Sequence, residues 1–262
     1  QSINGSVLLL SSIYFFIGLI DDARKISASF RLVFLSITTF IFLNYFEEYN
    51  IKFLHFAGMG KIYFDNWSIV FTVLCILLFQ NAMNMFDGLN GQSGIIFLII
   101  FIFLLSRVGI DFEFIILLSL LIVFIFFNLR NKTFLGDSGI YFLSSVAALN
   151  IIKLSNNHYI YSEEIFIIMM LPGLDMLRLF IIRIINRKNP FKPDKFHIHH
   201  LIYKKFNSHI KTLVIVLSIY IFPILLSEFT LIDKFYLIIL GILLYLITIS
   251  YFKGFKIYNH KK

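Results

Sequence analysis

Residues Ile165–Ile185 read IFIIMMLPGLDMLRLFIIRII, an apolar run whose only charged positions are Asp175, Arg178 and Arg183. At 1.5 Å per residue a helix of this length covers about 30 Å, the thickness of a bilayer's hydrocarbon core. Lipid offers no hydrogen-bond partners to free backbone N–H and C=O groups, so such a run crosses a membrane as a helix. Outward from it the same pattern recurs at Ile3–Ile20, Leu32–Phe46, Ile69–Phe79, Gly94–Leu105, Phe112–Phe127, Ile140–Leu154, Leu213–Leu226 and Ile232–Tyr251. Several of these runs fall short of the ~20 residues a span needs, so their helices must extend into polar flanks. The expectation is an all-α polytopic membrane protein with about nine transmembrane helices, forming a single multi-spanning domain over residues 1–262.

Composition agrees. Apolar residues make up 59% of the 262-residue chain and charged ones only 15%, against about 25% in soluble domains. Mean hydropathy is +0.86 and phenylalanine alone contributes 33 residues, more apolar surface than a water-soluble fold could hide. The one cysteine, Cys75, lies inside an apolar run and cannot form an internal disulfide. The stretch that opens at Gln1 shows no basic region or cleavage site, so no signal peptide is expected within it, and the expectation is a chain whose amino-terminal part is missing.

Nine crossings sort the connecting segments onto two sides. One side receives residues 21–30, 80–93, 128–139, 186–212 and the tail from Phe252. Of the 23 lysines and arginines, only Lys52, Lys61, Arg107, Lys153 and Lys234 fall on the other. The positive-inside rule makes the basic side cytoplasmic, carboxy terminus included. The +8 net charge is therefore a topological signal and implies no nucleic acid. Opposite, Glu47–Ser68 carries Gly58-Met59-Gly60 and a Phe/Tyr/Trp-rich end, which reads as a short hairpin with Trp67 as an interfacial anchor.

The unusual polar clusters all fall on the basic side. Asp21-Asp22 follows an apolar helix directly; a solvated helix end explains it, as does a shared cation or proton. Asn81, Asn84, Asp87 and Asn90 recur at a constant step of three, which lines them along one drifting side of a helix, with Gly88 and Gly91 beside them. Asp137 lies in Phe134-Leu-Gly-Asp-Ser-Gly139 at the start of the next helix, where Asp or Ser could serve simply as a cap. Asp175 and Arg178, after Pro172, are spaced for a local ion pair. The stretch Pro190–Leu201 then packs Lys192, Lys195, His197, His199 and His200 into the longest polar interruption of the chain. Clustered imidazoles suggest metal ligands. The neighbouring lysines would repel a cation, however, and hard carboxylate oxygens elsewhere on the same face suit Mg²⁺ better, so the histidine stretch reads as an anion clamp. Carboxylates, amides and a basic loop on one membrane face are what phosphoryl transfer between a cytosolic diphosphate and a membrane-embedded phosphate requires.

These residues resemble the polyprenyl-phosphate N-acetylhexosamine-1-phosphate transferases, glycosyltransferase family 4. The resemblance covers nearly the whole chain. It rests on four motifs in order: Asp21-Asp22, Asn81-x-x-Asn84-x-x-Asp87-Gly-x-x-Gly91, Phe134-Leu-Gly-Asp137-Ser-Gly and Pro193-Asp194-x-x-His197-x-His199-His200. The fourth motif and the Pro172-x-x-Asp175-x-x-Arg178 helix are most similar to the bacterial N-acetylglucosaminyl-type branch, which starts O-antigen (lipopolysaccharide), enterobacterial common antigen or wall teichoic acid assembly. Ile198 interrupts the histidine triplet of the phospho-MurNAc-pentapeptide translocases, the alternative branch. Asn90, where the family often has a second Asp, and Gln92, in place of a usual Leu, depart from the pattern.

What the resemblance implies is an enzyme of the bacterial cytoplasmic (inner) membrane. It would move a HexNAc-1-phosphate, GlcNAc-1-phosphate first among them, from a UDP-sugar (UDP-HexNAc) onto undecaprenyl phosphate, with release of UMP. Mg²⁺ is the implied cofactor, with Mn²⁺ as a substitute. Catalytic roles fall to Asp21, Asp22 and Asp137, metal contacts to Asp137, Asp87 and Asp22, and substrate binding to Asn81, Asn84, Asp87, Asn90, Lys192, Lys195, His197, His199 and His200. A homodimer is compatible with it, and about two further spans are expected upstream. Two rivals stay open: a transporter, which would place polar residues at mid-membrane and on both sides, and a catalytically dead scaffold.

Overall fold

A computed structural model describes residues 4–187, 189 and 195–258. Each of the nine apolar runs forms a helix: α1 (Gly5–Arg24), α2 (Ala28–Tyr45), α3 (Ser68–Phe86), α4 (Gln92–Val108), α5 (Phe112–Asn128), α6 (Gly136–Asn156), α7 (Ser162–Ile185), α9 (His209–Phe229) and α10 (Lys234–Tyr258). A tenth, the short amphipathic α8 (Ile198–Phe206), follows the histidine stretch. Seven helices are long and apolar enough to cross a membrane, while α4 and α5 are shorter. The polar flanks are incorporated as the short runs require. In α3, for example, the Asn81 amide satisfies itself on the Leu77 carbonyl one turn back, at 2.7 Å, so the helix continues past Phe79.

Helix α6 is the central post. Of its apolar window 78% is buried, against 22–44% in the other six long spans. It packs against α1, α3 and α4; α7 packs against α3, α9 and α10; and α2 lies outside against α1 and α3. The approach of α1 to α6 is the tightest of these. Gly18 lies so near the start of α6 that a Cβ there would be 2.4 Å from Ser138 Cα and 2.5 Å from its nitrogen. Only glycine permits that approach.

At the end of the bundle away from the polar clusters, β1 (Phe53–Phe56) and β2 (Gly60–Tyr63) form the expected hairpin, antiparallel with Phe53 opposite Tyr63. Glu163 of α7 anchors its turn by accepting from the Ala57 amide at 2.8 Å. Beside it Arg107 of α4 reaches Glu164 of α7 at 2.9 Å and also Glu228 of α9, and Lys234 of α10 reaches Glu164 at 2.7 Å. Four helices are thus tied at this end by one ion cluster. Trp67 lies here too, 71% exposed.

Candidate functional site

At the opposite end the structure brings the four polar clusters together. The first meets the third. A helix start leaves amide N–H groups unpaired, and Leu135, which precedes α6, has no side-chain acceptor. Asp22, at the end of α1, supplies one. Its Oδ1 accepts from Asp137 N at 2.9 Å, and its Oδ2 accepts from Ser138 N at 3.1 Å and Ser138 Oγ at 2.9 Å. Gly136 (φ +67°) makes room, since a Cβ there would lie 2.7 Å from Asp22 Oδ2.

Asp21 points the other way, into the bundle. It is 5% exposed and paired with Arg31 of α2 at 2.5 Å, and Tyr141 of α6 directs its hydroxyl at the same oxygen from 3.4 Å. The Arg31 Nε is buried without a partner. Nothing in the sequence spacing links Arg31 to Asp21.

The second cluster meets the third through Asn84, whose amide donates to Asp137 Oδ1. The constant step of three does not survive as one helical stripe. Asn81 and Asn84 lie on α3, but that helix stops at Phe86, Asp87 is its C-cap, and Asn90 belongs to the turn before α4. The break lies in the backbone: Gly91 takes φ +85°, and Gly88 is pressed against the His199 ring. Asn90 instead donates to Asn131 at 2.5 Å. Asn128, at the end of α5, accepts from Gly91 N at 2.5 Å and donates to the Thr133 carbonyl at 2.7 Å. Asn128 and Asn131 clasp the two loops, and sequence reasoning passed over both. Although the outer edge of Asp87 is exposed, the surrounding protein strips water from its carboxyl and pushes its pKa up to about 6.

The fourth cluster meets the second at Gly88, where a Cβ would lie 1.9 Å from His199 Nε2. His199 is 1% exposed, and neither ring nitrogen has a partner. Burial, with His200 and His197 beside it, pushes its pKa down to about 3. The ring is therefore neutral near pH 7 and can hydrogen-bond an anion but not neutralise it. His197 lies parallel to His199, ring centroids 5.6 Å apart, and His200 is 4.3 Å from His199. Behind them is Asp175, fully buried, which accepts from Arg178 at 2.8 Å, as its spacing foretold, and from His197 Nδ1 at 2.7 Å. Lys195 is exposed; Lys192, with Pro190, Phe191, Pro193 and Asp194, lies outside the described residues.

Among the described residues no three His, Cys, Asp or Glu side chains are placed to hold a metal ion. The set Asp137, Asp87 and Asp22 is accordingly not a ready cage, and Asp22 is committed to three donors on α6. Asp137 is half-buried, accepts from the Asn84 amide and lies beside the Asp21 carboxylate, which concentrates negative charge there. Such a carboxylate fits Mg²⁺, which is held through one or two carboxylates with phosphate oxygens and water completing its shell.

Fold and site together define a polytopic membrane protein with a carboxylate-, amide- and imidazole-lined site at one end of its helix bundle. The chain belongs to glycosyl transferase family 4, whose model matches residues 5–155. It is 24% identical over 208 residues to an undecaprenyl-phosphate alpha-N-acetylglucosaminyl 1-phosphate transferase of Yersinia pestis, covering 74% of this chain and 57% of the relative. The protein of the same name from Thermotoga maritima is 27% identical over 238 residues, covering 90% of this chain and 73% of the relative. A probable undecaprenyl-phosphate N-acetylglucosaminyl 1-phosphate transferase of Bacillus subtilis is 34% identical over 164 residues, 58% of this chain and 46% of the relative. The chain thus spans little more than half the length of the enterobacterial relatives it matches.

Proposed function

We propose that the protein transfers a HexNAc-1-phosphate, GlcNAc-1-phosphate by the names of its relatives, from a UDP-sugar to undecaprenyl phosphate as the first membrane step of cell-envelope polysaccharide synthesis. A lipid phosphate oxygen forms a bond to the β-phosphorus of the donor, and the bond from that phosphorus to UMP breaks. The observation that carries this reading is the meeting of α1, α3 and α6 through Asp22, Asn84 and Asp137. It gathers two carboxylates and an amide at the end of an apolar bundle, where a lipid headgroup and a water-borne nucleotide would both arrive. The excess of lysine and arginine in the loops at that end supports a cytoplasmic orientation in the inner membrane.

Within the site Asp137 would hold Mg²⁺, which supplies charge neutralisation at the diphosphate when bound. Asp22 fixes the first turn of α6, and with it the position of Asp137. A phosphate monoester has a second pKa near 6, so the acceptor is largely dianionic at neutral pH and needs little help from a base. The Asp21–Arg31 pair is therefore suited to orienting the acceptor phosphate more than to deprotonating it. Asn84, Asp87 and Asn90 face the nucleotide end. His197, His199 and His200 offer hydrogen bonds to the phosphates, with Lys195 and Lys192 supplying charge.

The deciding experiment incubates membranes holding the full-length protein with labelled UDP-GlcNAc and undecaprenyl phosphate. Mg²⁺-dependent labelled lipid and UMP are expected. Their absence across several UDP-HexNAc donors rejects the reading.

A further inference from the structure

The histidine helix is held from behind by a residue that none of the motifs contains. Tyr245, in the middle of α10 and 2% exposed, reaches across to α7 with its hydroxyl. That oxygen accepts from Arg178 Nε at 2.6 Å and donates to Asp175 Oδ1 at 3.0 Å. Asp175 in turn accepts from His197 Nδ1 at 2.7 Å and from the Ile198 amide at 3.2 Å, the opening of α8. Arg178 holds the Phe196 carbonyl at 2.7 Å. The chain entering α8 is thus fixed at two points, one on the carboxylate and one on the guanidinium, and the Tyr245 hydroxyl joins the two groups.

Two observations argue that this network does more than bind α10 to α7. A fully buried carboxylate costs several kcal/mol to desolvate, and an apolar contact between two membrane helices would avoid that cost. The helix that the network fixes also carries a ring with unmet capacity: His199 is buried against Gly88 with both nitrogens unpartnered. Leaving such groups unsatisfied is costly, a cost that a ligand's hydrogen bonds would remove.

We propose that Tyr245 is a positioning residue: through Asp175 and Arg178 it sets the start of α8, and so presents His197 and His199 to the diphosphate of the donor. The donor's identity rests on the function proposed above; the positioning of α8 does not.

The test uses Tyr245→Phe in the full-length protein, which keeps the ring and removes only the bridging oxygen. Two readouts are taken: histidine modification by diethyl pyrocarbonate, mapped by mass spectrometry, and steady-state kinetics with each substrate varied. In the parent protein the buried His197–His199 pair, resolved from the half-buried His200, is protected. In Tyr245→Phe it becomes at least five-fold more reactive, while His55 and His158 at the far end are unchanged. KM for the UDP-sugar rises roughly ten-fold, the scale of one lost hydrogen bond to a charged group, and kcat and KM for the lipid acceptor stay within two-fold. Asp175→Asn, which keeps the side chain's shape, gives the same pattern. Unchanged protection overturns the proposal, and so does an equal loss in all kinetic parameters, the mark of general destabilisation. Should the parent show no transfer with any UDP-HexNAc, the donor assignment falls with the proposed function, and the modification pattern alone decides whether Tyr245 positions the helix.

Discussion

Replacing Gly18 by alanine adds one methyl group and tests the whole assembly of the site. The new Cβ would lie 2.4 Å from Ser138 Cα, 2.5 Å from Ser138 N and 2.7 Å from the Asp137 carbonyl carbon. All three are backbone atoms of the first turn of α6, so no rotamer change relieves the clash. Ordinary contact is restored only if α1 and α6 part by about 1 Å. A shift of that size carries the three Asp22 hydrogen bonds, now 2.9–3.1 Å, out of range. Overpacking costs about 1–3 kcal/mol and loss of the cap about 1 kcal/mol. Alanine's better helix propensity returns up to ~1 kcal/mol, leaving a net loss of about 2 kcal/mol, or roughly 5 °C in Tm for a domain of this size. The rate should suffer more, because displacing a reacting group by ~1 Å costs on the order of a hundred-fold. Thermal unfolding in detergent and labelled-lipid formation in membranes measure the two effects. Gly173→Ala is the control: nothing lies within 4 Å of its would-be Cβ, so it should be neutral or slightly stabilising. A Gly18→Ala protein with parental Tm and rate would refute the argument that Gly18 sets the α1–α6 distance.

Two other substitutions address the chemistry. Asp137→Asn should reduce Mg²⁺-dependent transfer by at least a hundred-fold with Tm little changed; substantial Mg²⁺-dependent activity in that variant counts against Asp137 as the metal ligand. His199 gives a stability signal of definite sign. Its folded pKa is depressed to about 3 from an ordinary 6.5, so it contributes nothing above pH 6.5. Below that the unfolded chain takes a proton that the folded one refuses, and stability falls until about pH 3. At pH 5 the loss is 1.5 pH units, about 2 kcal/mol. His199→Gln should remove that share of the acid sensitivity between pH 7 and 5, and identical pH slopes in the two proteins would show the ring is not held neutral.

The fold was legible because its signal is one-dimensional. A run such as Phe112–Phe127 has one stable outcome in lipid, and each of the nine runs became a helix. The ends were less legible, since α3 continues past Phe79 through Asn81, whose amide folds back on the helix, and Asn84, whose amide reaches across to Asp137. The regular spacing of Asn81, Asn84, Asp87 and Asn90 misled for a related reason. Periodicity describes a helix only while the helix lasts, and the Gly88 and Gly91 turn ends it. The groups that brace the site were not legible at all. Arg31 on Asp21, Asn128 on Gly91 and Tyr245 on Asp175 are partners set by tertiary approach, and a buried tyrosine in an apolar run looks like packing. Asp22 shows the same limit from the other side. Its residue type marked it as chemically interesting, but its geometry gives it to the amides of another helix.

The ion cluster of Arg107, Glu164, Glu228 and Lys234 sets the mechanics of the whole molecule. With α4, α7, α9 and α10 bound to one another at that end and the hairpin latched onto α7, the bundle is clamped at its base, and a tilting helix would pivot there. A helix the length of α7, 24 residues or about 36 Å, that tilts by ~5° about such a pivot moves its far tip by ~3 Å. Such a displacement would widen the gap between helices at the site's end of the bundle. Weakening the base would let the same motion spread along the full length of the bundle, so residues with no part in the chemistry can govern how readily the site opens.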